Sequence, residues 1–340
     1  MQRKQLLKGA FSLLLLVVVY TSLYYLITFI SGNKILIPLN ALLFPAAIYG
    51  LSLTIRGIRF TYIVNSHTFE EKSLKFSTGI VGVFASWGLN SFFPGRMGEV
   101  FRLYIGKEND EITAEETFDS IVIEKVFDFM GMSILGIFAF TSLVLGKKNS
   151  RIDQQFPLML FALFVFCLIV VVIILNADIF TKFFSRIPYV GNSIERLLTI
   201  IKSKTKAVFT NRKILLKISS LTLTVWILDS LTFVIIVQEI SSIPANVAVF
   251  SVIIGFLTFI FPILPNAAGQ FESAVAFIFI LLGYPGEDGF SAALYDHITK
   301  TIVALGLGII VFLFLSVQNL VKTEKNNSRQ NSVEEDKKYP

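Results

Sequence analysis

The stretch that organises this chain reads GLNSFFPGRMGEVFR and covers residues 88–102. It closes an apolar run and then places a Pro-Gly break, two arginines and a glutamate at or near membrane depth. A second stretch, FPILPNAAGQFE at residues 261–272, repeats this arrangement about 170 residues later. Each has a proline, a glycine four residues on and then a carboxylate: Pro94, Gly98 and Glu99 in the first, Pro265, Gly269 and Glu272 in the second. Paired apolar segments broken by Gly and Pro are the best sequence indication of a transporter's binding site.

The composition indicates an integral membrane protein. The chain has 340 residues, of which 54% are hydrophobic and 16% are charged, whereas a soluble domain averages about 25% charged residues. The single cysteine, Cys167, excludes an intrachain disulfide, and the low number of Cys and His ligands, with His67 far from His297 in sequence, argues against a catalytic metal cluster. We therefore predict no metal and no cofactor. The net charge of +6 is no evidence for nucleic-acid binding, because basic residues beside apolar spans set membrane topology.

Apolar runs of about 20 residues, the length that crosses a bilayer, predict an all-α, polytopic fold. Residues 56–75 are predicted to form a basic loop, and residues 76–93 are barely long enough to cross. The segment 176–213 has eight basic residues against two acidic ones. It indicates either an amphipathic helix on an anionic leaflet or a solvated loop. We predict one transmembrane domain over residues 1–321 and a disordered tail over residues 322–340. The predicted spans are 10–30, 35–55, 117–145, 156–175, 214–237 and 298–321.

Loop charges predict the orientation, since cytoplasmic loops carry excess Lys and Arg. With both termini cytoplasmic, the basic segment 176–213 lies inside if residues 76–93 enter the membrane and return with residues 97–105. The second broken pair, 247–264 with 271–282, then enters from the opposite face. This predicts two re-entrant pairs in an inverted repeat, with hinges at Pro94, Gly95, Gly98, Pro265 and Gly269. The basic loop at residues 147–151 disagrees with this orientation.

Charged residues inside the membrane are candidates for function, because each costs about 2.5–3.5 kcal/mol at the bilayer centre. Arg96 and Arg102 flank a helix start and are predicted to bind a lipid phosphate. The alternative is that both snorkel to the interface as anchors. Glu124 and Asp128 share one helix face. They balance these arginines, contact a cationic headgroup, or form a structural ion pair with Arg96 or Arg102.

The second half of the chain has its own candidates. Glu272 opens a helix, where it either acts in lipid binding, together with Glu99, or only caps the helix. Asp296 and Lys300 are spaced to satisfy each other. We interpret His297 as a satisfied interfacial histidine rather than a proton relay. Asp229 is isolated within its predicted span and is a candidate for cation or proton coupling.

These stretches resemble the flippase-like family, the transmembrane domain of lysylphosphatidylglycerol synthases, which has many stand-alone prokaryotic relatives. The resemblance covers roughly residues 8–320, and its first motif is the more specific. Lys125 stands where the family commonly has Arg, and residues 266–268 where it commonly has glycines. The matching motifs are PGRMGEVFR at 94–102, IEKVFD at 123–128, PNAAGQFESA at 265–274, LGYP at 282–285 and ALYDH at 293–297.

The resemblance implies translocation of a lipid across the cytoplasmic membrane, with aminoacylated phosphatidylglycerol and polyprenyl-linked glycolipids among the family's substrates. No polar stretch is long enough for the aminoacyl-transfer domain of the synthases, so we expect no enzyme. The predicted partner is an anionic phospholipid or a polyprenyl-phosphate-linked lipid. Two alternatives stay open: a membrane-embedded glycosyl or lipid transferase acting on polyprenyl phosphate, and a non-catalytic membrane partner subunit. The sequence contains no P-loop or Gly-rich dinucleotide turn that would favour the transferase.

Overall fold

A computed structural model describes residues 38–68, 73–93, 96–146, 208–260 and 263–338, with side chains in the last helix as far as residue 315. The predicted spans 10–30 and 156–175 lie outside these residues. So do Pro94, Gly95 and most of the basic segment 176–213, whose predicted properties stay predictions.

Eight α-helices account for most of the described residues, which contain no strand. This confirms the predicted all-α class. Short 3-10 turns at Thr258–Ile260 and Pro265–Ala267 lie between the sixth and seventh helices. The helices are α1 Leu39–Asn65, α2 Phe76–Phe92, α3 Gly98–Asp110, α4 Ala114–Gly146, α5 Arg212–Ile240, α6 Ala245–Leu257, α7 Gln270–Leu281 and α8 Gly286–Lys338.

Four of these helices are long and apolar enough to cross a membrane, which confirms a polytopic protein. Their candidate spans within the described ranges are Asn40–Asn65, Ala114–Leu145, Arg212–Ile240 and Gly286–Leu315. By contrast, α6 has 13 residues and α7 has 12. At 1.5 Å per residue each reaches only about 20 Å of a hydrocarbon core about 30 Å thick. Two short apolar helices around a break agree with a re-entrant pair, but the inverted repeat stays a prediction.

Helix α1 corrects the predicted loop at residues 56–75. The helix runs for 27 residues to Asn65, so Arg56 and Arg59 lie inside a candidate span, and both side chains are buried. The polarity of this segment suggested a loop, but carboxylates on α4 and α5 pair with both arginines. The positive charges of Arg56 and Arg59 therefore no longer count as loop charges in support of the predicted orientation. The orientation stays a prediction.

Apolar side chains and close glycine contacts hold the helices together. One core cluster joins α5, α6 and α7 through Phe233, Phe250, Val275 and Phe279, all fully buried. Helix α2 packs on α8 where Gly88 faces Gly308: a Cβ added at Gly88 would lie 2.9 Å from the Gly308 Cα. Small residues allow such close approach between membrane helices.

Helix α8 continues beyond its apolar span. Its backbone is helical as far as Lys338, so it extends into residues 322–340, for which composition predicts disorder. The division of the chain at residue 321 stays a prediction.

Candidate functional site

The second break is an irregular segment between α6 and α7. Asn266 and Ala267 have positive φ angles of 54° and 53°, and Gly269 has a φ of 83°. Glu272 stabilises the start of α7, because its Oε2 accepts a hydrogen bond of 2.8 Å from the Gly269 amide. Of the two roles considered for Glu272, the structure contains the helix cap, and its role in lipid binding stays a prediction.

The first break ends at Arg96, which has a φ of 56°. The Gly98 amide, at the start of α3, donates to Asn90 Oδ1 at 2.8 Å. A Cβ at position 98 would lie 2.0 Å from the Ser86 carbonyl oxygen. Only glycine therefore allows α3 to lie this close to α2.

The two breaks touch each other. Arg96 Nη2 donates to the carbonyl oxygen of Phe259, in the second break, at 3.0 Å. Asn266 Nδ2 donates to Thr301 Oγ1 on α8 at 2.8 Å. The first contact joins Arg96 to the residues just before the second stretch, and α2 also packs on the turn Pro265–Ala267 of that stretch.

A cavity of about 260 Å³ lies at this junction. Aromatic rings, among them Trp87, Trp226 and Phe256, form much of its wall. Four cations, three carboxylates and one histidine also line it: Arg56, Arg96, Lys125, Lys300, Glu99, Asp128, Asp229 and His297. A concave, largely aromatic site with a few convergent charged groups is the usual form of a ligand site.

A buried ion-pair cluster lies beside the cavity. Arg59 donates to Glu124 Oε1 at 2.9 Å and to Asp128 Oδ1 at 2.8 Å. Arg102 donates to Glu124 Oε2 at 2.6 Å. This confirms the predicted pairing of Arg102 with the carboxylates of α4, and it supplies Arg59, a partner that sequence reasoning missed. Mutual pairing offsets the desolvation cost of each charge.

Arg56 forms a second buried pair and reaches the cavity. Its guanidinium donates to Asp229, and it lies 5.0 Å from the Trp87 ring centroid and 5.2 Å from that of Trp226. Asp229, isolated in the sequence, also accepts a hydrogen bond from Ser52. The sequence signal for this pair was a lone carboxylate, Asp229, inside one predicted span and an arginine, Arg56, directly after the end of another.

Arg96 and Lys125 are the most exposed cations of the cavity wall. Both approach the same oxygen, Glu99 Oε1, at 3.6 and 3.2 Å, and Lys125 lies 4.0 Å from Asp128. Their side chains are 37% and 29% exposed, whereas that of Arg102 is 2% exposed. The carboxylate of Glu99 therefore pairs with two cations at once, and each of these cations can also bind a further anion.

On α8, Lys300 pairs with Asp296 at 2.7 Å, as their spacing predicts. His297 Nδ1 lies 2.7 Å from Glu272 Oε1. His297 thus has a hydrogen-bond partner, which agrees with its interpretation as a satisfied histidine. The ring is buried and makes edge contacts with the rings of Phe259 and Phe271.

The predicted site residues divide into two groups. Arg96, Glu99 and Asp128 line the cavity. Arg102 and Glu124 pair with each other behind it, and Glu272 contacts the lining residue His297 and the start of α7. Sequence reasoning did not assign Arg56, Arg59, Lys125 or Lys300 to the site.

The chain belongs to the family described as the lysylphosphatidylglycerol synthase transmembrane region, whose sequence model matches residues 5–308. This confirms the family resemblance. One relative is named Glycosyltransferase AglD, from Haloferax volcanii: it is 27% identical over 314 residues, covering 83% of this chain and 50% of that protein. The chain thus spans about half the length of that relative.

A second relative is named UPF0104 membrane protein MJ1078, from Methanocaldococcus jannaschii. It is 25% identical over 240 residues, covering 70% of this chain and 98% of that protein. No solved structure matches the chain.

Proposed function

We propose that this protein moves a phosphate-bearing lipid, a phospholipid or a polyprenyl-linked lipid, between the leaflets of the cytoplasmic membrane. The observation that carries the proposal is the cavity at the junction of the two breaks, where Arg96 and Lys125 share a single carboxylate. Membership of a membrane family that includes the lysylphosphatidylglycerol synthase transmembrane region supports it.

In this proposal the lipid phosphate binds between Arg96 and Lys125. Both cations lie within 3.6 Å of one oxygen, Glu99 Oε1, so one phosphate group can reach both. Charge-assisted hydrogen bonds to phosphate are stronger than neutral ones. Glu99 and Asp128 then balance the cations in the empty site or contact a cationic group on the headgroup.

The cavity suits a headgroup rather than a whole lipid. Its volume of about 260 Å³ lies just below the roughly 300–1,000 Å³ of typical small-molecule sites. The acyl or prenyl chains would stay in the bilayer.

Arg102 and Glu124 have a positioning role in this scheme. Arg102 and Arg59 both bind Glu124, and Arg59 also binds Asp128. These pairs tie α1 and α3 to α4, the helix that carries Lys125. The breaks supply the hinges, because their backbone is irregular and they contact each other through Arg96.

The test is lipid movement in proteoliposomes that contain the purified full-length chain. Fluorescent phosphatidylglycerol and phosphatidylcholine are compared by chemical bleaching of the outer leaflet, with protein-free vesicles as the baseline. We expect bleaching of phosphatidylglycerol to pass the 50% plateau that one exposed leaflet gives, with phosphatidylcholine slower. A polyprenyl-phosphate probe tests the second lipid class. If no probe moves faster than in protein-free vesicles, while the protein is folded, the proposal fails.

A second candidate is a membrane-embedded transferase that uses polyprenyl phosphate, and the Haloferax relative, which is named Glycosyltransferase AglD, favours it. The same cavity would then hold the phosphate of the acceptor lipid. Transfer of radiolabel from a nucleotide sugar to polyprenyl phosphate by the pure protein would favour this candidate over translocation.

A further inference from the structure

The His297–Glu272 pair stands apart from the other charged pairs of the described cavity region. The others pair a carboxylate with Arg or Lys, which stay charged, whereas this one pairs it with an imidazole, which can be neutral or positively charged. Glu272 is fully buried, and His297 lies in the cavity wall. The imidazole therefore separates a buried carboxylate from the proposed lipid site.

The hydrogen bonds of Glu272 fix how this pair takes up a proton. Glu272 Oε2 accepts from the Gly269 amide and Oε1 lies 2.7 Å from His297 Nδ1, so the ionised carboxylate accepts two hydrogen bonds. With Nδ1–H as donor and a neutral ring, the pair carries one negative charge. One proton from water adds to Nε2 and makes the pair neutral, and no bond within the pair breaks.

The pair is connected to the cation that binds the phosphate in the proposed function. The His297 and Phe259 ring centroids lie 5.5 Å apart. The Phe259 carbonyl accepts the hydrogen bond from Arg96. His297 and Arg96 therefore contact the same residue of the second break and line the same cavity.

We propose that the His297–Glu272 pair is a proton-binding site that couples the uptake of one proton to the binding of one anionic lipid headgroup. This rests on the proposed function for the identity of the anion. A proton on His297 adds positive charge to the cavity wall and thereby favours a phosphate there. By linkage, a bound phosphate favours the proton to the same extent.

The remaining charged groups around this pair are constrained by their own partners. Helix α6 and α2 have no titratable side chain, and α7 has only Glu272. From the other neighbouring elements, Asp296 and Lys300 of α8, Asp229 of α5, Arg56 and Tyr49 of α1, and Arg96 face this region. Lys300 is paired with Asp296, and Arg56 with Asp229.

Intrinsic fluorescence reports directly on this site. The chain has two tryptophans, and both, Trp87 and Trp226, line the cavity. The full-length protein in detergent is titrated with dihexanoyl phosphatidylglycerol, whose phosphodiester keeps its charge across the pH range, at pH 8 and at pH 6. Dihexanoyl phosphatidylcholine is the headgroup control.

We expect phosphatidylglycerol affinity to rise at least about fivefold from pH 8 to pH 6, the lower end of typical couplings between sites. His297→Gln abolishes this rise. The chain's other histidine, His67, provides the matched control His67→Gln, which keeps it. Equal affinity at both pH values in the wild type, or an unchanged rise in His297→Gln, overturns the proposal.

A second titration separates this proposal from the proposed function. If phosphatidylglycerol does not bind at either pH, the fluorescence of the protein alone is followed from pH 8 to pH 5. A transition that His297→Gln and Glu272→Gln both lose, and that His67→Gln keeps, supports the proton site while the lipid assignment fails. No transition in the wild type, or one that persists in both His297→Gln and Glu272→Gln, overturns the proton site. Thermal unfolding of each variant confirms that it is folded.

Discussion

At the residue scale, the chain places charge inside the membrane by pairing it. Arg59 is fully buried in a candidate span and donates to both Glu124 and Asp128. An isolated arginine there would be costly. Here the carboxylates supply both the opposite charge and the hydrogen-bond acceptors, so the cluster stabilises the helix contacts only as long as it is complete.

Replacement of Arg59 by leucine tests this cluster. Arg59→Leu leaves Asp128 and Glu124 with less compensation inside the protein, and breaking a buried pair from one side costs about 3–5 kcal/mol. We expect a large loss of thermal stability in detergent. The control is Lys75→Ala: the Lys75 side chain is 72% exposed, and its buried partner Asp110 keeps the hydrogen bond from the Lys75 backbone amide in this variant. We therefore expect this control to lose much less stability than Arg59→Leu. If both variants unfold at the same temperature, the cluster has no such role.

Several of these pairs were predictable from residue spacing and others were not. The pairing of Asp296 with Lys300 follows from helical periodicity. The pairing of Arg102 with Glu124 follows from their opposite charges at similar depths in the membrane. Arg59 was missed because a polar residue at the end of an apolar run resembles the start of a loop. Its partners lie on α4, which is distant in sequence. Only a comparison of the numbers of positive and negative charges in all the apolar segments would have indicated that Arg59 is paired inside the membrane.

At the scale of elements, glycines set how closely the helices approach. The α2–α8 contact at Gly88 and Gly308 brings the two backbones together. By contrast, a Cβ at Gly306, also on α8, would meet no atom within 4 Å. The two positions are thus a matched pair for testing the contact.

Gly88→Ala is expected to destabilise the protein, and Gly306→Ala is not. The added Cβ at position 88 would lie 2.9 Å from the Gly308 Cα and 3.1 Å from the Ala304 carbonyl oxygen. Because both are backbone atoms, the helices must separate, at a cost of about 1–3 kcal/mol. Thermal unfolding of both variants measures this. Equal stability of Gly88→Ala and wild type would show that the helices do not pack this closely.

The left-handed backbone of the second break can be tested by substitutions at Ala267. Ala267 is buried with a φ of 53°, a conformation that costs roughly 1–2 kcal/mol for a residue with a side chain. Ala267→Gly removes this strain and is expected to be neutral or slightly stabilising, whereas the β-branched Ala267→Val is strongly destabilising. Unfolding temperatures compare the two variants. A tolerated valine would contradict the left-handed backbone at this position.

The helices around the breaks were largely predictable, whereas one helix end was not. The predicted segments 247–264 and 271–282 correspond to α6 with its following turn and to α7. Prolines and glycines fix such breaks locally. The sequence predicted the C-terminal end of α1 about ten residues too early. The last turns of α1 carry arginines that are stabilised by ion pairs with α4 and α5, which the local sequence does not show.

At the scale of the whole molecule, family membership and a helical, polytopic fold followed from composition and motifs and are confirmed. The paired breaks indicated a binding site, but the residues through which they meet, such as Arg96 and Phe259, depend on the packing of the helices and could not be predicted. The topology is still a prediction. Since α8 contains a candidate span, its two ends should lie on opposite sides of the membrane.

Thiol labelling tests this orientation. In a Cys167→Ser background, which removes the chain's one cysteine, single cysteines are introduced as Glu287→Cys and Lys325→Cys. Because basic flanks stay in the cytoplasm, we expect an impermeant reagent on intact cells to label position 287 and not position 325. Permeabilised cells provide the control, in which both react. Labelling of position 325 in intact cells would reverse the orientation.

In the proposed function, Arg96 and Lys125 bind the phosphate of a lipid that crosses the membrane. The most direct test is the rate of phosphatidylglycerol movement in proteoliposomes with Arg96→Ala and Lys125→Ala, at matched protein amounts, beside the surface control Lys75→Ala. Hydrogen bonds to a charged group contribute about 1.5–3 kcal/mol each, so we expect each cavity variant to slow movement roughly tenfold to a hundredfold and the control to match the wild type. If wild type and both cavity variants move the lipid at the same rate, Arg96 and Lys125 do not bind the phosphate of a transported lipid.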